Sequence, residues 1–154
     1  MKGPPPPLVA LAAALTQRAL AGRPKPVTPI RAVAAGATAL ASAALASGAA
    51  RQFRREGTTL EPFEPSQASA LVTAGANAVS RNPMYVGLTG LLLANALRLG
   101  SWKALLPVAA FVVAIDRLQI AAEESALLAK FGPDYEAYVS TVPRWLGIRL
   151  SRPA

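Results

Sequence analysis

Between Arg31 and Arg51 the chain runs through residues 32–50 without a single charge. A helix of that length matches the roughly 20 residues needed to cross a bilayer. The alternative is an alanine-rich helix buried in a soluble bundle. Composition favours the membrane, because 53% of the residues are hydrophobic and only 16% are charged. Alanine supplies much of that apolar content, so the mean hydropathy is only +0.34. Gly36, Ser42, Ser47 and Gly48 give the run a small-residue surface suited to close helix packing in lipid.

The rest of the chain repeats the pattern. Residues 8–15 are apolar and lead into Thr16, Gln17 and Arg18. A signal peptide cleaved near Ala19-Leu20-Ala21 is one reading. The run Pro4 to Pro7 and the thin positive start favour a short membrane helix over 8–21, with Arg18 reaching to the interface. Residues 22–29 hold three prolines and two charges and read as a loop. Beyond the basic cluster Arg51, Arg54 and Arg55, Gly57, Pro62 and Pro65 mark an irregular connector over 56–67. A helix is expected from Pro83 to about Leu99, with Asn95 as its one strongly polar residue. Gly100 to Lys103 make a turn, and a second helix returns from Ala104 to about Lys130 as an antiparallel hairpin. After the Gly132-Pro133 break, Tyr135, Tyr138, Val139, Val142 and Trp145 are spaced for one apolar face of an interfacial helix over 131–148. The expected fold class is all-α: a polytopic membrane helical bundle of about four spans with a C-terminal interfacial helix. It forms one domain over 1–154, divided into a helix pair at 8–50 and a core at 58–148.

The chain has no Cys and no His. That removes thiolate chemistry, the commonest general base and the commonest metal ligand. No metal site is expected, and any chemistry falls to Asp, Glu, Tyr, Arg and Lys. The net charge is +8, yet the sixteen basic residues are scattered between apolar runs. Without a basic face or an aromatic platform, nucleic acid is a poor partner, and anionic lipid headgroups are a better one.

One stretch concentrates chemical features. Pro83 is shaped for a first helical turn and pushes Asn82 out of the α region, which makes Asn82 the cap residue. Free N–H groups at such a start favour an anion, and Arg81 adds charge beside them. Gly87 leaves room for a ligand or another helix. On the returning helix Asp116, Gln119 and Glu123 fall on one stripe, and Arg117 and Glu124 repeat at seven. Such groups at membrane depth need a cavity, a partner, or a helix end emerging into water.

Arg81-Asn82-Pro83-Met84-Tyr85-Val86-Gly87 resembles the Arg-His-Pro-x-Tyr-x-Gly signature of the isoprenylcysteine carboxyl methyltransferase family, whose relatives include the phospholipid methyltransferases. The resemblance continues at Glu123-Glu124-Ser125-Ala126-Leu127, at Phe131-Gly132-Pro133-Asp134-Tyr135-Glu136-Ala137-Tyr138, and at Val142-Pro143-Arg144-Trp145-Leu146. It covers roughly 58–146, and departs at Asn82, where many members carry His. The resemblance implies an integral membrane enzyme using S-adenosylmethionine. Leu71, Val72, Gly75, Arg81, Asn82, Pro83, Tyr85, Gly87, Glu123, Glu124, Leu127, Tyr135 and Tyr138 would bind the cofactor. Arg144, as holder of an anionic acceptor, and Asn82 would be the catalytic positions. The methyl acceptor would be lipophilic, with a carboxylate favoured because it needs no base, and an amine or thiol next.

Nine basic residues fall on the motif side and five on the other, with Arg18 and Arg117 inside helices. The positive-inside rule then puts the motifs at the cytoplasmic face. Two rivals remain. One is a nicotinamide-dependent membrane reductase of sterol or steroid type, against which no Tyr–acid pair is evident in the spacing. The other is a non-catalytic membrane scaffold.

Overall fold

Proline starts most of the helices, and the computed structural model, which describes residues 4–23, 25–55 and 70–147, shows where each begins. Helix α1 spans Pro6–Ala21, α2 Pro29–Arg55, α3 Pro83–Leu99, and α6 Pro133–Thr141. Between α3 and α6 runs one continuous helical rod, Trp102–Phe131. It opens with a 3-10 turn and is divided into α4 (Leu105–Ala114), a π-helical segment (Ile115–Ile120) and α5 (Ala121–Phe131). A further 3-10 turn covers Gly75–Ala78. The described residues contain no strand. The connector expected at 56–67 lies outside the described residues, as do Lys2, Arg149 and Arg152.

Helix α2 runs past the apolar stretch to include Arg51, Arg54 and Arg55. At its start the Thr28 hydroxyl accepts from the Arg31 N–H at 3.4 Å, a side-chain cap. Helix α3 stops at Gly100, which takes φ +63° and returns its N–H to the Ala96 carbonyl. Arg31 reaches across from α2 and donates to the exposed Leu97 and Arg98 carbonyls at 3.1 and 2.8 Å. A side chain at Gly100 would occupy the space of that guanidinium.

Helix α3 is the centre of the bundle. Its Gly87 and Gly90 lie against α2, where an added Cβ at Gly87 would sit 2.7 Å from the Ala46 Cβ and 2.8 Å from the Ser42 carbonyl. The close approach that Gly87 permits is therefore that of a helix. Toward α1 and α4, α3 contributes Tyr85 and Leu92 to a core with Ala10, Val108, Phe111, Ile115 and Ile120. Inside that contact the fully buried Gln17 donates to the Leu92 and Ala104 carbonyls, both at 2.9 Å, and accepts from Asn95. Every polar atom of that amide pair faces a partner or the helix end, as an apolar interior requires.

Two helices, Pro29–Arg55 and Trp102–Phe131, are long and apolar enough to cross a membrane. Helices α1 and α3 have 16 and 17 residues, about 25 Å each against roughly 30 Å of hydrocarbon. The count of about four spans would have to include both. The C-terminal helix is shorter than its apolar spacing suggested. It ends at Thr141, because Pro143 holds Val142 extended, at φ −112° and ψ 131°.

The Gly87 contact makes a direct prediction. Gly87→Ala should force α2 and α3 apart and cost about 1–3 kcal/mol, read as a lower melting temperature in detergent. Gly36→Ala, where nothing lies within 4 Å, should leave the melting temperature unchanged or raise it. Equal behaviour of the two would remove the α2–α3 contact as the explanation.

Candidate functional site

The three sequence blocks of the signature meet at one ionic cluster. Arg81, at the start of α3, keeps only 7% of its side chain exposed and donates to Glu124 Oε1 at 2.7 Å. Its other terminal nitrogen donates to the Val139 and Val142 carbonyls at 3.2 and 3.1 Å, closing the end of α6. Arg144 binds the same Glu124 through both oxygens, and reaches the two Asp116 oxygens at 3.3 Å. Trp145 adds an indole donor to Asp116 Oδ1 at 2.8 Å. The largely exposed Arg117 adds a third guanidinium 3.6 Å from Asp116, so both carboxylates of the cluster are countered.

The backbone around Arg81 grips the C-terminal segment. The Arg81 N–H donates to the Pro143 carbonyl at 2.9 Å. The Ser80 hydroxyl and the Asn82 amide nitrogen both donate to the Arg144 carbonyl, at 3.1 and 3.0 Å. Asn82 does precede Pro83 at the helix start, but its side chain caps nothing on α3. It holds Arg144 instead.

The expected stripe of Asp116, Gln119 and Glu123 is divided in the structure. Asp116 and Glu124 share Arg144, whereas Gln119 and Glu123 face Tyr85. Eight residues apart on a plain α-helix, Asp116 and Glu124 would diverge by about 80°. The π segment Ile115–Ile120 absorbs one residue in a wider turn, which brings the two carboxylates to within about 20° of one face. Glu123 accordingly turns to α3. Its Oε1 accepts from the Tyr85 hydroxyl at 2.6 Å and from Gln119 at 2.7 Å. The fold thus makes a Tyr–acid pair that no spacing in the sequence advertises.

The remaining expected residues divide between two places. Leu71, Leu127 and Val139 pack on buried Tyr135, Tyr138 and Val142, and the Tyr138 hydroxyl donates to the Asn77 carbonyl at 2.6 Å. Val72 and Pro83 are buried. Gly75 takes φ +63° and lies against Gln52 of α2, while Gly87 faces α2. Trp145 leaves the face of α6 to pack on the core between α1, α3 and α4. Beside the ionic cluster lies a mainly apolar cleft of about 510 Å³, walled by Ala121, Leu128 and Val139 with Glu124, Tyr135 and Arg144. Two buried donors lack partners, Arg81 Nε and Asn77 Nδ2. Asn77 carried no functional signal of its own beyond polarity, whereas Asp116 stood out by the stripe it shares with Gln119 and Glu123.

Protonation states follow from burial. The Tyr135 hydroxyl is pushed up to about 12, chiefly by burial and then by the Glu124 charge. Tyr138 is raised by burial as well. Both phenols stay protonated at neutral pH and serve as donors, not bases. Hydrogen bonding to Glu124 raises Arg144 further above its ordinary range.

Arg81→Lys keeps the charge but cannot reach Glu124 and two α6 carbonyls together. It should lower stability by about 2 kcal/mol and speed amide exchange at the end of α6. Unchanged exchange there would show that Arg81 does not hold α6.

Residues 30–134 match the phospholipid methyltransferase family. That stretch takes in all but the first residue of α2, the whole of α3 and the rod, and the first two residues of α6, and so includes Arg81, Asp116 and Glu124. A protein of Haemophilus influenzae, described as uncharacterized, is 46% identical over 63 residues, which are 41% of this chain and all of that protein. No solved structure matches. Two helices suited to crossing a bilayer agree with a membrane methyltransferase. With well over half of its length matched, the chain belongs to the phospholipid methyltransferase family.

Proposed function

We propose that the protein transfers a methyl group from S-adenosylmethionine to the polar head of a lipophilic acceptor, at the end of the bundle where α3 begins and at the cytoplasmic face. The observation that carries this reading is the convergence of Arg81, Glu124 and Arg144 beside one cleft. The residues present fit the cofactor. A cleft of about 510 Å³ lies within the usual range for a small-molecule site. Its apolar wall suits an adenine, and Glu124 is an acceptor for ribose hydroxyls or an ammonium. The Ser125 hydroxyl on the cleft wall is a donor of the kind a carboxylate needs.

Bound there, the cofactor supplies an electrophilic methyl on a sulfonium. The chain's part is to hold the reactants in line and exclude water. Asn82 and Ser80 fix the Arg144 backbone, Asp116 and Glu124 fix its guanidinium, and Tyr135 donates from the cleft wall. The sequence favours a carboxylate acceptor, but both guanidiniums are already committed to Glu124 and Asp116. A carboxylate would have to displace one of them. An amine-bearing lipid needs no such displacement, since the exposed Glu136 also borders the cleft. A family named for phospholipid methylation agrees with that choice. The Tyr85–Glu123–Gln119 set does not line the cleft and is read as structural.

Binding of S-adenosylmethionine to detergent-purified protein is the test. The wild type should bind saturably, and Glu124→Gln should weaken binding at least tenfold. Leu128→Trp, which fills the cleft without touching the ionic cluster, should abolish it. Glu123→Gln should bind within about threefold of wild type. Binding that survives Leu128→Trp would place the cofactor elsewhere. In a transfer assay, Asn82→His should keep most activity because the ring can still donate to the Arg144 carbonyl. Asn82→Asp should lose it. A large gain with His would instead mark this position as a missing base.

A further inference from the structure

The basic residues, scattered in sequence, are gathered by the fold. Helix α3 separates the Arg81 cluster at its start from a second end, where α1 finishes, α2 begins and α4 begins. The contacts of Arg31 with the Leu97 and Arg98 carbonyls, and of Gln17 with Leu92 and Ala104, fix that meeting. Arg18, Arg23, Lys25, Arg31, Arg98 and Lys103 all belong to this end. All eight acidic residues lie at position 56 or between 61 and 136, and none falls within 1–55 or 65–115. The end therefore carries six cations with no carboxylate in its own segments. Arg18, Arg31 and Arg98 rest on neutral oxygens of Gly22, Pro26, Leu97, Arg98 and Asn95. Arg23, Lys25 and Lys103 are exposed.

We infer that this end of the bundle is a docking surface for the headgroups of anionic phospholipids. Like charges gathered at the edge of a low-dielectric body need counter-charge, and among the described residues these segments hold no carboxylate. The surroundings favour a lipid over other anions. Ile30, Leu105 and Leu106 expose 83%, 49% and 53% of their surface next to the cations, and Trp102 exposes 70%. Apolar surface for acyl chains thus adjoins cations for phosphates, with an indole at the level between them. The inference stands apart from the methyltransferase reading, because it uses none of the residues of the cleft.

The test is the apparent melting temperature in nanodiscs of phosphatidylcholine alone or mixed with phosphatidylglycerol. Anionic lipid should raise it for the wild type by about 4 °C, and added salt should shrink the rise. The exposed triple variant R23Q/K25Q/K103Q should lose the rise while melting like wild type in phosphatidylcholine. The variant R51Q/R54Q/R55Q, basic residues at the other end of α2, should keep it. A rise that persists in the first variant, or disappears in both, would overturn the assignment. So would a full rise produced by inorganic phosphate in phosphatidylcholine discs, which would mean a free-anion site.

Discussion

A buried guanidinium sets the terms for one end of this protein. The terminal nitrogens of Arg81 need partners in an apolar bundle, and they find them in two separate regions of the chain. Glu124 anchors it to the rod, and the last carbonyls of α6 anchor it to the C-terminal segment. Once those bonds form, Val142 and Pro143 must lie beside the start of α3, and Arg144 must emerge next to Glu124. The position of α6 thus follows from an ionic group satisfying itself, as well as from the Tyr135–Tyr138–Val142 contact.

The body of the bundle depends on packing. Gly87 and Gly90 let α3 approach α2 to backbone distance, which lipid cannot imitate and which gives dispersion forces their purchase. Gln17 and Asn95 secure the opposite face, where α1 crosses α3 and the start of α4. With both faces covered, α3 becomes a spacer of about 25 Å between the Arg81–Glu124–Arg144 cluster and an end whose described segments carry only cations.

Much of this was legible in the sequence, and the reasons for the rest are physical. Pro6, Pro29, Pro83 and Pro133 each mark a helix start, because proline restricts φ locally. Gly100 marks an end for the same kind of local reason. The convergence of Arg81, Glu124 and Arg144 was foreshadowed by the order of the signature blocks. The division of Glu123 from Glu124 was not, because it rests on the π segment Ile115–Ile120, whose residues carry no local mark of a wider turn. Periodicity counted at 3.6 residues per turn put Asp116 with Glu123, and one absorbed residue put it with Glu124. Gln17 gave no signal either: a glutamine beside an arginine reads as a helix end, until the chain around it closes. The length of α6 was misread because apolar spacing continues through Val142 and Trp145, while Pro143 has already stopped the helix.

The absence of histidine narrows what such a site can do. At Asn82 the amide has one visible task, donation to the Arg144 carbonyl, and an imidazole N–H can perform the same task. A base at that position is then unnecessary to the architecture. Tyr135 and Tyr138 keep their protons at neutral pH, so the groups on the cleft wall able to accept one are carboxylates, Glu124 and Glu136. Glu124 is already shared by two guanidiniums. An acceptor amine would have to release its proton to water before transfer, since only the neutral amine carries the lone pair that attacks a methyl group. The methyl transfer itself would proceed by alignment alone, which is the part of catalysis that a rigid, ion-paired cluster beside an apolar cleft is built to supply.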